Sequence, residues 1–177
     1  MTCAIDTPRL YITFNTTNSD ETKQGFWIDA FDLSDDVLDV KIKEMGVESY
    51  YDISIEDNHN FHGINIDKYS DFETVSEIAQ MLNDDRWDAD LIAELYNHLN
   101  GSNPQDVLDY LDEHYQGEHK NLEEWCREFL DDTGFFETCN EHIKIWFDYV
   151  GYAEYVETSG DIFTLDVNGG LHVFWNR

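Results

Sequence analysis

Leu10, Ile12 and Phe14 alternate with Tyr11 and Thr13, a period of two that predicts a strand with one buried face. Asn15 to Gln24 reads as a polar loop, and Gly25 to Ala30 as a second strand. Ser34 stands where an N-cap belongs, ahead of Asp35 and Asp36 in a first helical turn. Leu38, Ile42 and Met45 keep helical spacing until Gly46 stops the helix. Tyr51, Ile53 and Ile55 alternate again and predict a third strand with these three side chains on one face.

From Ser70 the apolar period lengthens. Ser70-Asp71-Phe72-Glu73 has the form of a capping box with Ser70 at the N-cap, and Phe72, Val75, Ala79 and Leu82 follow at helical spacing. Leu91, Ile92, Leu95 and Leu99 predict a second helix stopped near Gly101. Asn103-Pro104 opens a third, whose stripe is Val107, Leu108, Leu111 and Tyr115 with Gly117 as the stop. Asn121 to Glu124 starts a fourth, burying Leu122, Trp125, Phe129 and Leu130 with Cys126 on the same stripe. Glu141 to Val156 is read as helical with a break at Gly151. Asp161 to Val167 and Gly170 to Trp175 flank Asn168-Gly169, a type I′ hairpin signal. The fold class is therefore α+β. The pattern divides softly near residues 61 and 103, into an N-terminal α+β part (1–61), a central helical part (62–103) and a C-terminal α+β part with the hairpin (104–177).

Charge changes this picture most. Thirty-nine Asp and Glu oppose ten Lys and Arg among 177 residues, a formal net charge of -29. Such an imbalance in a chain poor in apolar residues implies disorder, because ordering entropy is not offset by burial. Here hydrophobic residues make up 41% and aromatics 15%, enough for a core. The high aromatic content also argues against halophilic adaptation. No apolar stretch approaches the ~20 residues of a membrane span, and Met1 to Pro8 lacks the features of a signal peptide. Cys3, Cys126 and Cys139 are odd in number without C-x-x-C spacing, so disulfides are not expected and a cytoplasmic setting is. An anionic protein of this kind is expected to avoid nucleic acid and membrane and to seek basic surfaces.

Between Asp71 and Glu118 stand thirteen acids and one base, Arg86. Three helical runs concentrate them: Asp84, Asp85, Asp88, Asp90 and Glu94; then Asp106, Asp109, Asp112 and Glu113; then Glu123, Glu124, Glu128, Asp131 and Asp132. Like charges three or four residues apart on a helix cost roughly 0.2–0.5 kcal/mol a pair, and the sequence pattern suggests that this repulsion goes unrelieved. Carboxylates stepping along helices at ~1.5 Å rise per residue can match the charge density of duplex DNA, about one charge per ~1.7 Å of axis.

Catalytic and metal chemistry finds no comparable pattern. Carboxylate pairs are too numerous to single out an acid/base couple. Asp84 to Glu94 lacks the glycine at the sixth position of a calcium loop, and Asp166-Val167-Asn168 lacks the remaining ligands. His59, His62, His98, His114, His119, His142 and His172 form no H-E-x-x-H motif and no Cys/His zinc spacing. No phosphate-binding Gly-rich loop or nucleophile elbow is present. No cofactor and no metal are expected, and an enzyme is disfavoured; a hydrolase using an acidic pair would have to turn over a substrate.

Several stretches together resemble the ArdA-type antirestriction proteins of mobile genetic elements. They are Gly25-Phe26-Trp27-Ile28-Asp29-Ala30, Ile55-Glu56-Asp57 with Phe61, the helix entered through Tyr69 and Glu73, Tyr115-Gln116-Gly117-Glu118, Leu122 to Trp125, Thr133-Gly134, Phe147-Asp148-Tyr149, Gly160-Asp161 and His172 to Arg177. The resemblance implies an elongated array of three small domains, assembled as a homodimer that imitates bent DNA. It further implies binding to type I restriction–modification enzymes in place of DNA, with no catalytic residues. The three acidic runs would then be the phosphate mimics. A dimer contact in the last domain would involve Trp146, Tyr149, Tyr152, Tyr155 and Trp175, which are aromatic enough for an interface. Where family members often carry Arg-Asp, this chain has Glu154-Tyr155, which alters the charge near that contact. The rival reading is a general acidic chaperone or scaffold for a basic nucleic-acid-binding protein.

Overall fold

The computed structural model describes residues 7–16, 23–31 and 33–176. In chain order the elements are β1 (Arg9–Thr16), β2 (Lys23–Asp29), α1 (Asp35–Glu44), β3 (Tyr50–His59), α2 (Phe72–Leu82), α3 (Ala89–His98), α4 (Pro104–His114), β4 (Tyr115–His119), α5 (Leu122–Asp132), α6 (Glu141–Trp146), α7 (Tyr149–Thr158), β5 (Ile162–Val167) and β6 (Gly170–Trp175). The fold is mixed α+β with two small antiparallel sheets, ordered β2-β1-β3 and β4-β6-β5. Contacts divide the chain into two compact units, Met1–Gln105 and Asp106–Arg177.

In the first unit β1 runs between β2 and β3, and its Leu10, Ile12 and Phe14 are wholly buried. Ile42 of α1 packs with Phe14 and Val47 in one cluster, flanked by Phe26, Tyr50 and Ile53. Ser34 caps α1 as its position predicts, accepting from the Val37 N–H. The expected loop Asn15 to Gln24 is shorter than read: Asn15, Thr16, Lys23 and Gln24 are strand, and the middle of that loop lies outside the described residues, as do most of Met1 to Pro8, Cys3 and Arg177.

The third strand departs from simple alternation. Tyr11 pairs with Asp57 but Ile12 with Ile55, and Thr13 pairs with Ser54 but Asn15 with Tyr51, so β3 carries an extra residue at each of two register shifts. Asp52, at φ 54°, sits in the second. Each bulge reverses the sense of the following side chains. Ile55 is therefore buried, Ile53 half-buried and Tyr51 exposed, and the three do not share one face.

Helix α2 begins one residue later than the capping box implies. Asp71 is the N-cap, accepting from Thr74 N–H at 2.9 Å, while Ser70 Oγ accepts from Asp67 N–H and closes the preceding turn. Ser76 and Gln80 donate to the Phe31 carbonyl and tie α2 to the end of the β2 segment.

The second unit is built on β4-β6-β5 and the α5–α7 pair. Its core holds Trp125, Cys126, Leu130, Tyr149, Ala153, Val156, Ile162 and Val173. Tyr115 to Gly117 does not end a helix: it opens β4, where Tyr115 pairs with Phe174 and Gly117, at φ 106°, lies in a register shift. The pairing partner is far along the chain, and the ladder overrides the local helical spacing. The predicted helix from Glu141 to Val156 is two helices. The break comes at Phe147-Asp148, and Gly151 lies inside the first turn of α7. Asn168 and Gly169 take φ values of 53° and 86°, both positive as the hairpin signal requires.

Candidate partner-binding surface

The first acidic run straddles the N-terminus of α3. Asp88 caps that helix, accepting from the Asp90 and Leu91 N–H groups. Asp84 binds Arg86 Nε at 3.0 Å, and this contact holds its carboxyl below the usual carboxylate range. Asp90 lies 2.6 Å from His62 Nδ1, a residue 28 positions earlier. Asp85 and Glu94 are exposed, with no base paired to them among the described residues.

Helix α4 presents the second run. Val107, Leu108 and Leu111 are buried, while Asp106, Asp109, Asp112 and Glu113 are all exposed on the remaining faces. The helix contains no lysine or arginine, and His114 Nε2 lies 3.9 Å from Glu113.

The third run occupies α5, and several of its acids have basic neighbours. Glu123 pairs with Arg127 at 2.7 Å and Glu124 with Lys120 at 3.2 Å. The Lys120 backbone and ammonium hydrogen bonds lower the Glu124 pKa. Glu128 lies 3.3 Å from the buried His119, and Asp131 meets Lys144 from α6. Asp132 is exposed. The repulsion suggested by the acid spacing is thus relieved at several positions. Two of the relieving bases, Lys120 and Arg127, are i,i+4 partners legible in the sequence; Lys144 arrives through the fold, as do the contacts of His62 and His119.

The aromatic residues separate by burial. Trp146 is 85% exposed and Tyr155 68%. Tyr152 is half-buried among Phe135 and Phe147. Tyr149 is 4% exposed and belongs to the core, with the Arg127 guanidinium 3.8 Å over its ring. Trp175 is half-buried edge-on against Trp125 and Phe129.

A family model described as antirestriction protein (ArdA) matches residues 13–169 of the 177. The chain belongs to this family. No match is found among curated proteins. Membership in the ArdA family implies an antirestriction function, and the family is one of inhibitors rather than catalysts.

On this ArdA chain, sequence reasoning missed a second set of surface groups. Ile143, Ile145 and Phe135 are 52%, 69% and 49% exposed, and α6 buries none of its residues. The signal was the apolar density of Ile143, Ile145 and Trp146 within four residues, which a buried amphipathic helix of one turn and a half does not need. No group of three or more His, Cys, Asp or Glu that could hold a metal occurs among the described residues. None of the described helices is long and apolar enough to cross a membrane.

Proposed function

We propose that this ArdA family member is a DNA mimic. It binds a type I restriction–modification enzyme in the groove that otherwise holds DNA, and so protects incoming mobile DNA in the cytoplasm. The observation that carries this reading is the acid row of α4. From Asp106 to Glu113 four exposed carboxylates are spread over eight residues, seven steps or about 10.5 Å at ~1.5 Å rise, a mean axial spacing of ~3.5 Å. One strand of B-DNA places its phosphates about 3.4 Å apart along the axis. A groove lined with Lys and Arg, shaped for phosphates, gains a similar electrostatic attraction from this row, and association is fast and salt-sensitive.

The unit acts as a homodimer in this reading, with the exposed aromatics of α6 and α7, Trp146 and Tyr155, covered by a second copy. An apolar surface of this kind fits the centre of an interface rather than a solvated face. The test is DNA cleavage by a purified type I enzyme, titrated with the protein at two salt concentrations beside an unrelated basic DNA-binding protein. Inhibition near stoichiometry, weakened by salt and absent for the control, is expected. Equal displacement of DNA from both proteins would instead identify a general acidic buffer for basic proteins.

A further inference from the structure

At the C-terminal end of α5 a cleft of about 290 Å³ opens between α5, β4 and the end of β6. That is roughly ten times the ~30 Å³ share of a water molecule, and enough for one side chain. Trp125 and Phe129 stack with centroids 5.3 Å apart and planes at 7°. Trp175 stands edge-on to both, 5.4 Å from Phe129 and 6.2 Å from Trp125. Trp125 is the buried floor, and Phe129 and Trp175 are half-exposed walls. The Tyr110 hydroxyl fixes the last wall by donating to the Trp175 carbonyl at 2.6 Å.

The polar lining consists of the carboxylates Glu128 and Asp132 together with His119, Gln116 and Thr133. Glu128 and Asp132 are both exposed and stand four residues apart on α5, so their Cβ atoms are about 5–6 Å apart. Glu128 Oε2 lies 3.3 Å from His119 Nδ1, and the His119 Nε2–H donates to the Gln116 carbonyl at 3.1 Å. The helix end adds the negative pole of its dipole. Aromatic faces bounded by carboxylates at the negative end of a helix attract a cation and repel an anion.

We propose that this cleft receives one arginine side chain of the basic partner. Its guanidinium lies against the Phe129 and Trp175 rings, and its N–H fork binds Glu128 and Asp132. The inference rests on the DNA-mimic reading for the partner's identity, and on charge complementarity for its chemistry. Arginine suits the cleft better than lysine because its planar, weakly hydrated cation stacks on rings while donating in a fork. The protein already uses this arrangement on the opposite side of α5, where Arg127 lies on Tyr149 and binds Glu123. The cleft therefore adds an anchor to an interface otherwise made of dispersed charge.

Two measurements test it. In ¹⁵N-labelled protein titrated with N-acetyl-arginine amide, the indole signals of Trp125 and Trp175 should shift saturably while those of Trp27, Trp87 and Trp146 stay in place. N-acetyl-lysine amide should bind more weakly, and Glu128→Gln/Asp132→Asn should abolish the arginine response. Uniform linear drift of all five signals, no shift, or equal response to lysine would overturn the proposal, and the wild-type pattern decides even if the double variant does not fold. In the restriction assay the same pair should weaken inhibition by about tenfold, the scale of a desolvated cation–π and charged hydrogen-bond contact. The control pair Asp106→Asn/Glu113→Gln should weaken it clearly less; equal losses would reduce the cleft to two ordinary carboxylates and overturn it. If the wild-type protein inhibits no type I enzyme, the mimic reading falls, and the indole titration still decides the cleft.

Discussion

The Asp148 carboxylate accepts the backbone N–H of Gly151 at 2.9 Å, and this one contact explains why a glycine sits in the first turn of α7 instead of breaking a longer helix. A Cβ at Gly151 would come within 2.6 Å of Asp148 Oδ2. Alanine at a helical glycine ordinarily gains up to ~1 kcal/mol, and losing an N-cap costs about the same. Gly151→Ala should therefore give no gain in the wild-type background and a clear gain in Asp148→Ala. A double-mutant cycle by urea unfolding should show a coupling of about 1 kcal/mol, and strict additivity would contradict this account.

Dispersed charge on α4 predicts graded losses. Asp106→Asn alone should change inhibition of a type I enzyme by less than about threefold, the size expected for one contact among many in an electrostatic interface. Neutralising Asp106, Asp109, Asp112 and Glu113 together should weaken it by orders of magnitude at low salt, with a smaller dependence on ionic strength. Abolition of inhibition by Asp106→Asn alone would rule out the distributed mechanism.

Among the described residues Glu56 has the most strongly displaced carboxylate. Hydrogen bonds from Lys23 and then Lys68 hold its pKa at about 2 against an ordinary value of 4.5. Because the folded-state pKa is depressed, this stabilisation is present above pH 4.5 and is lost as pH falls from there towards 2. The group is solvent-accessible, so salt should reduce the effect. The stability gap between wild type and Glu56→Gln, measured by urea unfolding, should narrow between pH 6 and pH 3. A gap independent of pH would show that the pairing contributes nothing.

The exposed aromatics of α6 and α7 predict an assembly defect without a folding defect. Trp146→Ala/Tyr155→Ala should lower the mass seen by light scattering from two chains to one. Because both side chains are largely exposed within one chain, unfolding of the monomeric unit should change by no more than about 0.5 kcal/mol. A wild-type protein that is monomeric at working concentration would remove the dimer from the proposed function.

Cys126 is wholly buried in the second core, and burial pushes its thiol pKa up. Its alkylation in the folded protein should be far slower than that of the half-buried Cys139, and should become comparable in denaturant. Peptide mass spectrometry after timed iodoacetamide labelling distinguishes the two sites. Fast native labelling of Cys126 would mean that the α5–α7 packing opens readily.

The sequence by itself determined the class α+β, most helix boundaries, the Asn168-Gly169 hairpin and the acidic character, because each of these depends on neighbours within a few residues. Ser34, Asp88 and Asn121 cap helices through hydrogen bonds to groups two or three positions away, and an amphipathic stripe such as Leu91, Ile92 and Leu95 declares its buried side locally. Tertiary structure alone decided the rest. Tyr115 joins a strand because Phe174 is there to pair with it, and two bulges in β3 reassign which of its side chains face the core. Lys144 pairs with Asp131 across 13 residues and His62 contacts Asp90 across 28, so the spacing of acids could not show which carboxylates find neighbours in the fold. The cleft joins Trp125 and Phe129 to Trp175, a contact made by closing a long loop. Coulombic relief and ring packing depend on distance in space, and local pattern carries that information only where the chain stays close to itself.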